Sequence, residues 1–455
     1  MRRLLLCLAI AMLVPAAAQA LDVAQIEAPS GMEVWQVEEH SLPMIAISVS
    51  LPAGAAYDPA GREGLAALTA GMLNEGAGDM GAIAFQEALE SRAIKFSASA
   101  GRDNLVVSVQ TLTEHASEAF RLLGLALSRP RFDPDAIERV RAQLLASLKR
   151  DEEDPAAIAA KVWTAVYFGD HPYAHPENGT EAGLKAITRK DLQAFAAAHL
   201  VRGGAKLAVS GDVDAETLKT LVAGALGPLP EPAPAPIPPF LGGAGKLIKI
   251  VPLDVPQPSA VFGGPGLLRT DPDFIPAYVA NYILGGGGFS SRLMEEVREK
   301  RGLTYGVSTS LGAYRAAGVV VGSVASQKER IAEAVGLIET EMGRIATEGV
   351  TDEELADAKT YLTGSFPLAF DSNVKIAGLL NAFQRDGLGR DYVNTRNDLV
   401  EAVTREQVNA AAKRVFAPEG LTVVIAGTPA GMPPAAVGAS AQPGPKPKPG
   451  DKSTP

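Results

Sequence analysis

Apolar residues recur along this chain in two rhythms. Short, nearly continuous apolar runs rich in valine and isoleucine read as strands: Ala46 to Pro52 and Asn104 to Thr111 early on, Lys246 to Val251 and Gly318 to Val324 later. Between them lie longer, alanine-rich segments in which apolar positions return every three or four residues, the period of a helix with one buried face. The pattern then repeats itself. Ile187-Thr-Arg-Lys-Asp-Leu192 leads through an Ala-rich helix to Ala205-Lys-Leu-Ala-Val-Ser-Gly-Asp212, and Val403-Thr-Arg-Glu-Gln-Val408 leads likewise to Leu421-Thr-Val-Val-Ile-Ala-Gly-Thr428. One offset of 216 residues carries Thr188 onto Thr404 and Gly211 onto Gly427. Each copy predicts a Thr-capped helix followed by a buried strand that ends in glycine. Phe132-Asp-Pro-Asp-Ala-Ile137 and Val350-Thr-Asp-Glu-Glu-Leu355 form a second pair, both acidic helix starts. Two matches in the same order point to an internal duplication.

Prolines punctuate the repeat. From Gly227 to Pro239 they alternate with other residues, which favours an extended, semi-rigid segment. The expected fold class is therefore α+β, with two homologous domains of mixed α/β sheet, residues 21–227 and 246–428, joined by a Pro-rich linker at 228–245. Residues 429–455 mix Pro, Gly, Ala and Ser with a few lysines and read as a disordered tail.

The first twenty residues set the expected compartment. Arg2 and Arg3 precede an apolar run from Leu4 to Val14, too short to span a membrane; Pro15 ends the run, and Ala18-Gln-Ala20 offers small residues for cleavage. This predicts a secretory signal peptide at 1–20 and, for a bacterial source, a periplasmic protein. Cys7 lies inside the apolar run rather than after it, which disfavours a lipoprotein signal. As Cys7 is the only cysteine, disulfides, thiolate ligands and a cysteine nucleophile are excluded from the mature chain. Without Arg2 and Arg3, 40 basic side chains face 52 acidic ones, a net charge near −12 that argues against nucleic acid as a partner.

Several motifs together resemble the pitrilysin/insulinase family of zinc peptidases, which includes the processing peptidases. They are Ala53-Gly-Ala-Ala-Tyr-Asp-Pro59 with Gly64-Leu-Ala-Ala-Leu68, His171-Pro-Tyr-Ala-His-Pro-Glu-Asn-Gly-Thr180, and Gly211-Asp-Val-Asp214. In the second half they are Ser290-Ser-Arg-Leu293 and Val297-Arg-Glu-Lys-Arg-Gly-Leu-Thr-Tyr305. The resemblance runs from about Val34 to Gly427. Active members bind zinc through H-x-x-E-H on the first helix, two histidines one turn apart and a glutamate as general base. Aligned on Gly64-Leu65-Ala66, those positions here are Ala67, Ala70 and Gly71, and the third ligand falls near Ser147. None of these side chains can bind a metal or move a proton. Glu75, Glu152 and Glu153 lie near in sequence but would not by themselves build a tetrahedral zinc site. No cofactor is therefore expected on this chain, with zinc expected on a partner subunit.

Five histidines remain as alternative ligands: His40, His115, His171, His175 and His199. His171 and His175 have ligand-like spacing, yet Pro172 and Pro176 break any helix that would align them, so a loop whose histidines cap or pack locally is expected. His199 ends an Ala-rich helix, where a cation suits the helix dipole, and His40 and His115 read as surface residues. Gly285-Gly-Gly-Gly288 lacks the ending of a phosphate loop and reads as a turn before a capped helix.

Arg298 and Tyr305 are what the resemblance leaves of the active site. In the family an arginine and a tyrosine at this spacing reach the substrate beside the zinc, as donors to peptide carbonyls and to the developing oxyanion. The plainer reading puts Arg298 on a solvated face with Glu295, Glu296, Glu299, Lys300 and Arg301, and makes Tyr305 a core aromatic on the following strand. Retention of this pair beside an erased metal site fits a heterodimeric peptidase split between two chains. This chain would be the subunit that binds no zinc, its partner a zinc-binding paralogue and its substrate a peptide or unfolded protein. The alternative is a catalytically inactive scaffold or peptide-binding protein of the same fold.

Overall fold

Helices begin where a side chain can satisfy the free amides of the first turn. Thr188 with Asp191, Thr351 with Glu354 and Thr404 with Gln407 each form a reciprocal capping box. The first and third lie in the repeated segments, and the second opens the later of the two acidic helix starts. The computed structural model describes residues 21–28 and 31–430; the expected signal peptide and positions 431–455 of the expected tail lie outside the described residues. None of the described helices is long and apolar enough to cross a membrane.

The first half contributes strands β1 (Ala24–Glu27), β2 (Glu33–Glu38), β3 (Met44–Leu51), β4 (Gly76–Ala77), β5 (Met80–Gly81), β6 (Lys95–Ala100), β7 (Leu105–Leu112) and β8 (Lys206–Gly211). The second contributes β9 (Leu247–Val251), β10 (Ser259–Pro265), β11 (Val307–Ala313), β12 (Gly318–Ala325) and β13 (Thr422–Ala426). Among the described residues β4 and β5 form a small hairpin, and the others build two sheets, ordered β1-β2-β8-β3-β7-β6 and β9-β13-β10-β12-β11. Apart from the extra edge strand β1, the orders match position for position. In both, the one parallel pair joins the same two places, β2 with β8 and β9 with β13. The strands expected from the apolar runs are β3, β7, β9 and β12, and those expected to close the repeated segments are β8 and β13.

The central strands are covered on both faces, and the two covers come from different halves. Val423 and Ile425 of β13 point into the core of their own half, whereas Val424 and Ala426 face Trp163, Tyr167 and Phe168. Those aromatics belong to the helix Pro155–Phe168, which leaves the first half and lies across the second sheet. The helix Asn373–Arg385 returns the exchange by packing on β2, β3 and β8, where Ala208 meets Ile376 and Leu380. Polar contacts fix both crossings. Trp163 Nε1 donates to the Thr422 carbonyl at 3.0 Å, and Asn381 Nδ2 donates to the carbonyls of Ser48 (3.1 Å) and Lys206 (3.0 Å). Gly263 leaves room for the indole, since a Cβ there would stand 2.9 Å from Trp163 Cζ2.

The proline-rich segment has no regular secondary structure and is strapped to the body. Arg202 N donates to the Pro230 carbonyl at 2.7 Å, Ile237 is buried, and Phe240 N donates to the Ala316 carbonyl at 2.9 Å.

Candidate functional site

The helix Leu65–Met72 is where a zinc motif would stand. Asp58 starts it by accepting from Gly64 N (2.6 Å) and Ala66 N (2.8 Å), with Gly64 in the left-handed region at φ 104°. Burial pushes the Asp58 carboxyl up to about 7 against these hydrogen bonds. Two of the motif's positions are closely packed. Ala70 is buried, and a Cβ on Gly71 would meet Val140 Cγ1, from the helix Pro134–Asp151, at 2.7 Å. A histidine at 71 would therefore collide whatever its rotamer. Ser147 lies further along that same helix. Among the described residues no group of three or more His, Cys, Asp or Glu could hold a metal ion. The site has lost its shape as well as its ligands, and no chemistry is routed through a metal on this chain.

The histidines are tied to the backbone. Tyr173 N donates to His171 Nδ1 at 3.1 Å, which leaves Nε2–H to donate to the Pro238 carbonyl at 2.8 Å. His175 Nδ1 lies 3.3 Å from the Ala55 carbonyl. His171 fits the local capping role expected from the flanking prolines, whereas His175 reaches a carbonyl 120 residues away. His199 differs from expectation. It is packed between Tyr57 and Phe195 with Nδ1 at 3.1 Å from the Pro52 carbonyl, and burial holds its pKa below the ordinary value. Desolvation outweighs the hydrogen bond to the Pro52 carbonyl, so it is not the cation expected there. His40, on the surface, bridges Glu38 and Asp212, chiefly the latter, which raises its pKa.

The turn carrying Arg298 and Tyr305 is held rigidly. Gly302 N donates to the Arg298 carbonyl (2.8 Å) and Leu303 N to that of Val297 (2.9 Å), which closes the helical segment, with Gly302 at φ 60°. Thr304 Oγ1 donates to the Ala325 carbonyl at 2.7 Å and accepts from Gly306 N at 3.0 Å. Between them, in a bend before β11, Tyr305 is 89% exposed. The core-aromatic reading of Tyr305 is thus excluded.

Arg298 stands apart from its charged neighbours. Lys300 pairs with Glu295 (2.9 Å) and Glu296 (2.7 Å), and Arg301 pairs with Glu296 (2.6 Å), so a solvated ion network accounts for them. Arg298 has its Cζ 4.4 Å from the ring centroid of Phe289, and its buried Nη1 lies 3.4 Å from Glu299 Oε1 without making a hydrogen bond. The rest of the side chain, stacked on an exposed ring and in part open to solvent, is available to a carbonyl or carboxylate. Sequence reasoning missed Phe289, whose signal was a large aromatic directly after a glycine run. That run ends as expected in a capped helical turn, with Ser291 Oγ accepting from Met294 N at 3.5 Å.

Residues 34–180 match a family model described as insulinase (peptidase family M16), and residues 186–362 match one described as the peptidase M16 inactive domain. The crystal structure of a peptidase M16 inactive domain from Pseudomonas fluorescens is 31% identical, with a TM-score of 0.85, covering 91% of this chain and all of that one. The chain belongs to peptidase family M16. Among its M16 relatives, the non-peptidase homolog YmxG of Helicobacter pylori is 28% identical over 413 residues, 90% of this chain and 94% of that protein. The crystal structure of a protease from Helicobacter pylori shares the fold, with a TM-score of 0.80 at 16% identity over 90% of this chain and all of that one. The inactive-domain matches agree with the residues at 67, 70, 71 and 147: this M16 chain carries no zinc of its own.

Proposed function

We propose that this M16 chain is the zinc-lacking subunit of a periplasmic heterodimeric peptidase. It supplies Arg298 and Tyr305 to an active site whose zinc and general base belong to a paralogue with H-x-x-E-H. The observation that carries the reading is the exposure of Tyr305 on a hydrogen-bonded, rigid turn: a large aromatic held in open water is placed to meet another surface. In that role the Arg298 guanidinium holds a substrate carbonyl, and the Tyr305 phenol donates to the oxygen that gains charge in the transition state. A scaffold or peptide-holding role is the second reading; it draws on the relative named a non-peptidase homolog.

The test is co-expression with an exported H-x-x-E-H paralogue and hydrolysis of an internally quenched peptide. Arg298→Ala and Tyr305→Phe should each lower the rate by roughly 10²–10³, the scale of one lost oxyanion donor, with unchanged thermal unfolding. Full activity in both variants, or absence of a complex, would refute the proposal. A complex that binds peptide without cleaving it would favour the scaffold.

A further inference from the structure

Away from the Arg298 turn, a cleft of about 600 Å³ opens where the halves meet. Its lining includes four guanidinium groups, Arg102, Arg269, Arg315 and Arg385, against three carboxylates, Asp103, Glu177 and Asp386. Each carboxylate is engaged. Asp103 accepts from Tyr173 Oη (2.6 Å) and Arg315 N (2.9 Å), Glu177 pairs with Arg102 (3.2 Å), and Asp386 faces Arg269 (3.8 Å). What is left over is positive. The Arg315 side chain donates to the neutral Asn104 Oδ1 at 3.0 Å and hydrogen-bonds to the Tyr57 hydroxyl, and neither partner is an anion. Among the described residues Arg385 forms no ion pair, and its Nε is buried without a hydrogen-bond partner. Arg385 is half-buried, and although Asp386 and Asp103 lie near enough to act on its charge, its Nε has nothing to donate to, an unfavourable state that an anion in the cleft would relieve.

The cleft continues past Arg269, Ala313 and Asp386 into a second cavity of about 700 Å³ walled by Phe274, Tyr278, Phe366, Phe383 and Tyr392. Two polar atoms in this lining lack partners although their residues are more than nine-tenths buried, Asn281 Oδ1 and Thr309 Oγ1. Strand β11, the edge of the second sheet, borders both cavities. A small inorganic anion would use the guanidinium end alone; a peptide would use both cavities and the strand edge.

We propose that this double cleft binds a peptide carboxylate on Arg385 and Arg315, with a neighbouring large apolar side chain in the aromatic cavity. The inference rests on the reading that peptides enter the space this chain encloses, but its test needs neither the partner nor cleavage. The full-length mature chain is titrated, at low ionic strength, into fluorescein-labelled Gly/Ser peptides containing one Phe-Glu or one Phe-Gln step, each with an amidated C-terminus. A third peptide carries Phe-Gln and a free terminal carboxylate. Anisotropy should show the Glu peptide, or the free-terminus peptide, binding at least tenfold more tightly than the neutral one, and which of the two does so identifies the source of the carboxylate. Arg385→Met should abolish that preference without lowering the unfolding temperature, since it removes a charge without a partner. Arg315→Gln should do the same and keeps the test open if the first variant does not fold. Equal binding of charged and neutral peptides, no peptide binding, a preference that survives in the folded variants, or binding of inorganic phosphate alone would each overturn the proposal.

Discussion

Truncating Trp163 tests whether the exchange of helices holds the two halves together. The indole is buried, belongs to the first half, and joins Tyr167 and Phe168 of its own helix to the second sheet. Trp163→Ala removes the ring, its stacking on Tyr167 at 4.6 Å and 8°, and a side-chain donor to the Thr422 carbonyl, a residue with no exposed surface. Large-to-small changes of this kind cost about 3–5 kcal/mol. The lost indole hydrogen bond adds about 1 kcal/mol, since the carbonyl of Thr422, which pairs with Gly263 across the sheet, keeps its place in the ladder. Trp163→Phe keeps most of the packing and isolates the second contribution. Urea denaturation would be followed by circular dichroism and by the fluorescence of Trp35, the other of the two tryptophans. Trp35 packs against the reciprocal helix, so it reports the opposite crossing. A loss of 4–5 kcal/mol is a large share of the roughly 5–15 kcal/mol that holds a folded domain, and the two probes should separate as the halves uncouple. A loss below about 1 kcal/mol with coincident curves would show that the crossing carries no such weight.

Two further outcomes follow from buried polar groups. Asn381→Leu removes the amide that bridges the Ser48 and Lys206 carbonyls, and should destabilise the protein by about 2–3 kcal/mol in the same denaturation assay. Asp58 holds its proton to about pH 7 when folded, against an ordinary value of 3.8. Between those limits the folded state binds the extra proton, so stability falls as pH rises, by at most roughly 1.4 kcal/mol per pH unit. Comparing urea midpoints at about pH 5 and about pH 7.5, Asp58→Asn should lose less stability than the unaltered protein; equal losses would refute the shift.

Local chemistry was legible in the sequence and long-range chemistry was not. Thr188 and Thr404 cap their helices because the cap and its amide lie within one turn, and Gly211 and Gly427 share φ 134° at the ends of matching strands. The empty zinc positions were readable for the same reason, since the motif sits on one helix. Val140, which closes the space beside Gly71, lies 69 residues away and gives no sign of it. The helix Pro155–Phe168 reads like any alanine-rich helix, because its partner surface is on the opposite sheet. Tyr305 was misplaced onto a strand that starts two residues later, and the turn that exposes it depends on Thr304 reaching Ala325. Arg385 ends the helix Asn373–Arg385 and belongs to no motif; only the surrounding cleft shows that its buried Nε has no partner.

The reciprocal crossing also bears on how such a chain arises. A polypeptide of one half alone would leave the outer face of its sheet bare and its long aromatic helix without a seat. Two copies would resolve both defects at once, each lending its helix to the other about a twofold axis, as in a domain-swapped dimer. Tandem duplication then needs only a tether to turn that dimer into a single chain, replacing a concentration-dependent encounter with an intramolecular one. The proline-strapped segment is that tether. Once joined, the copies need no longer be identical, and each half is free to change side chains that the other keeps.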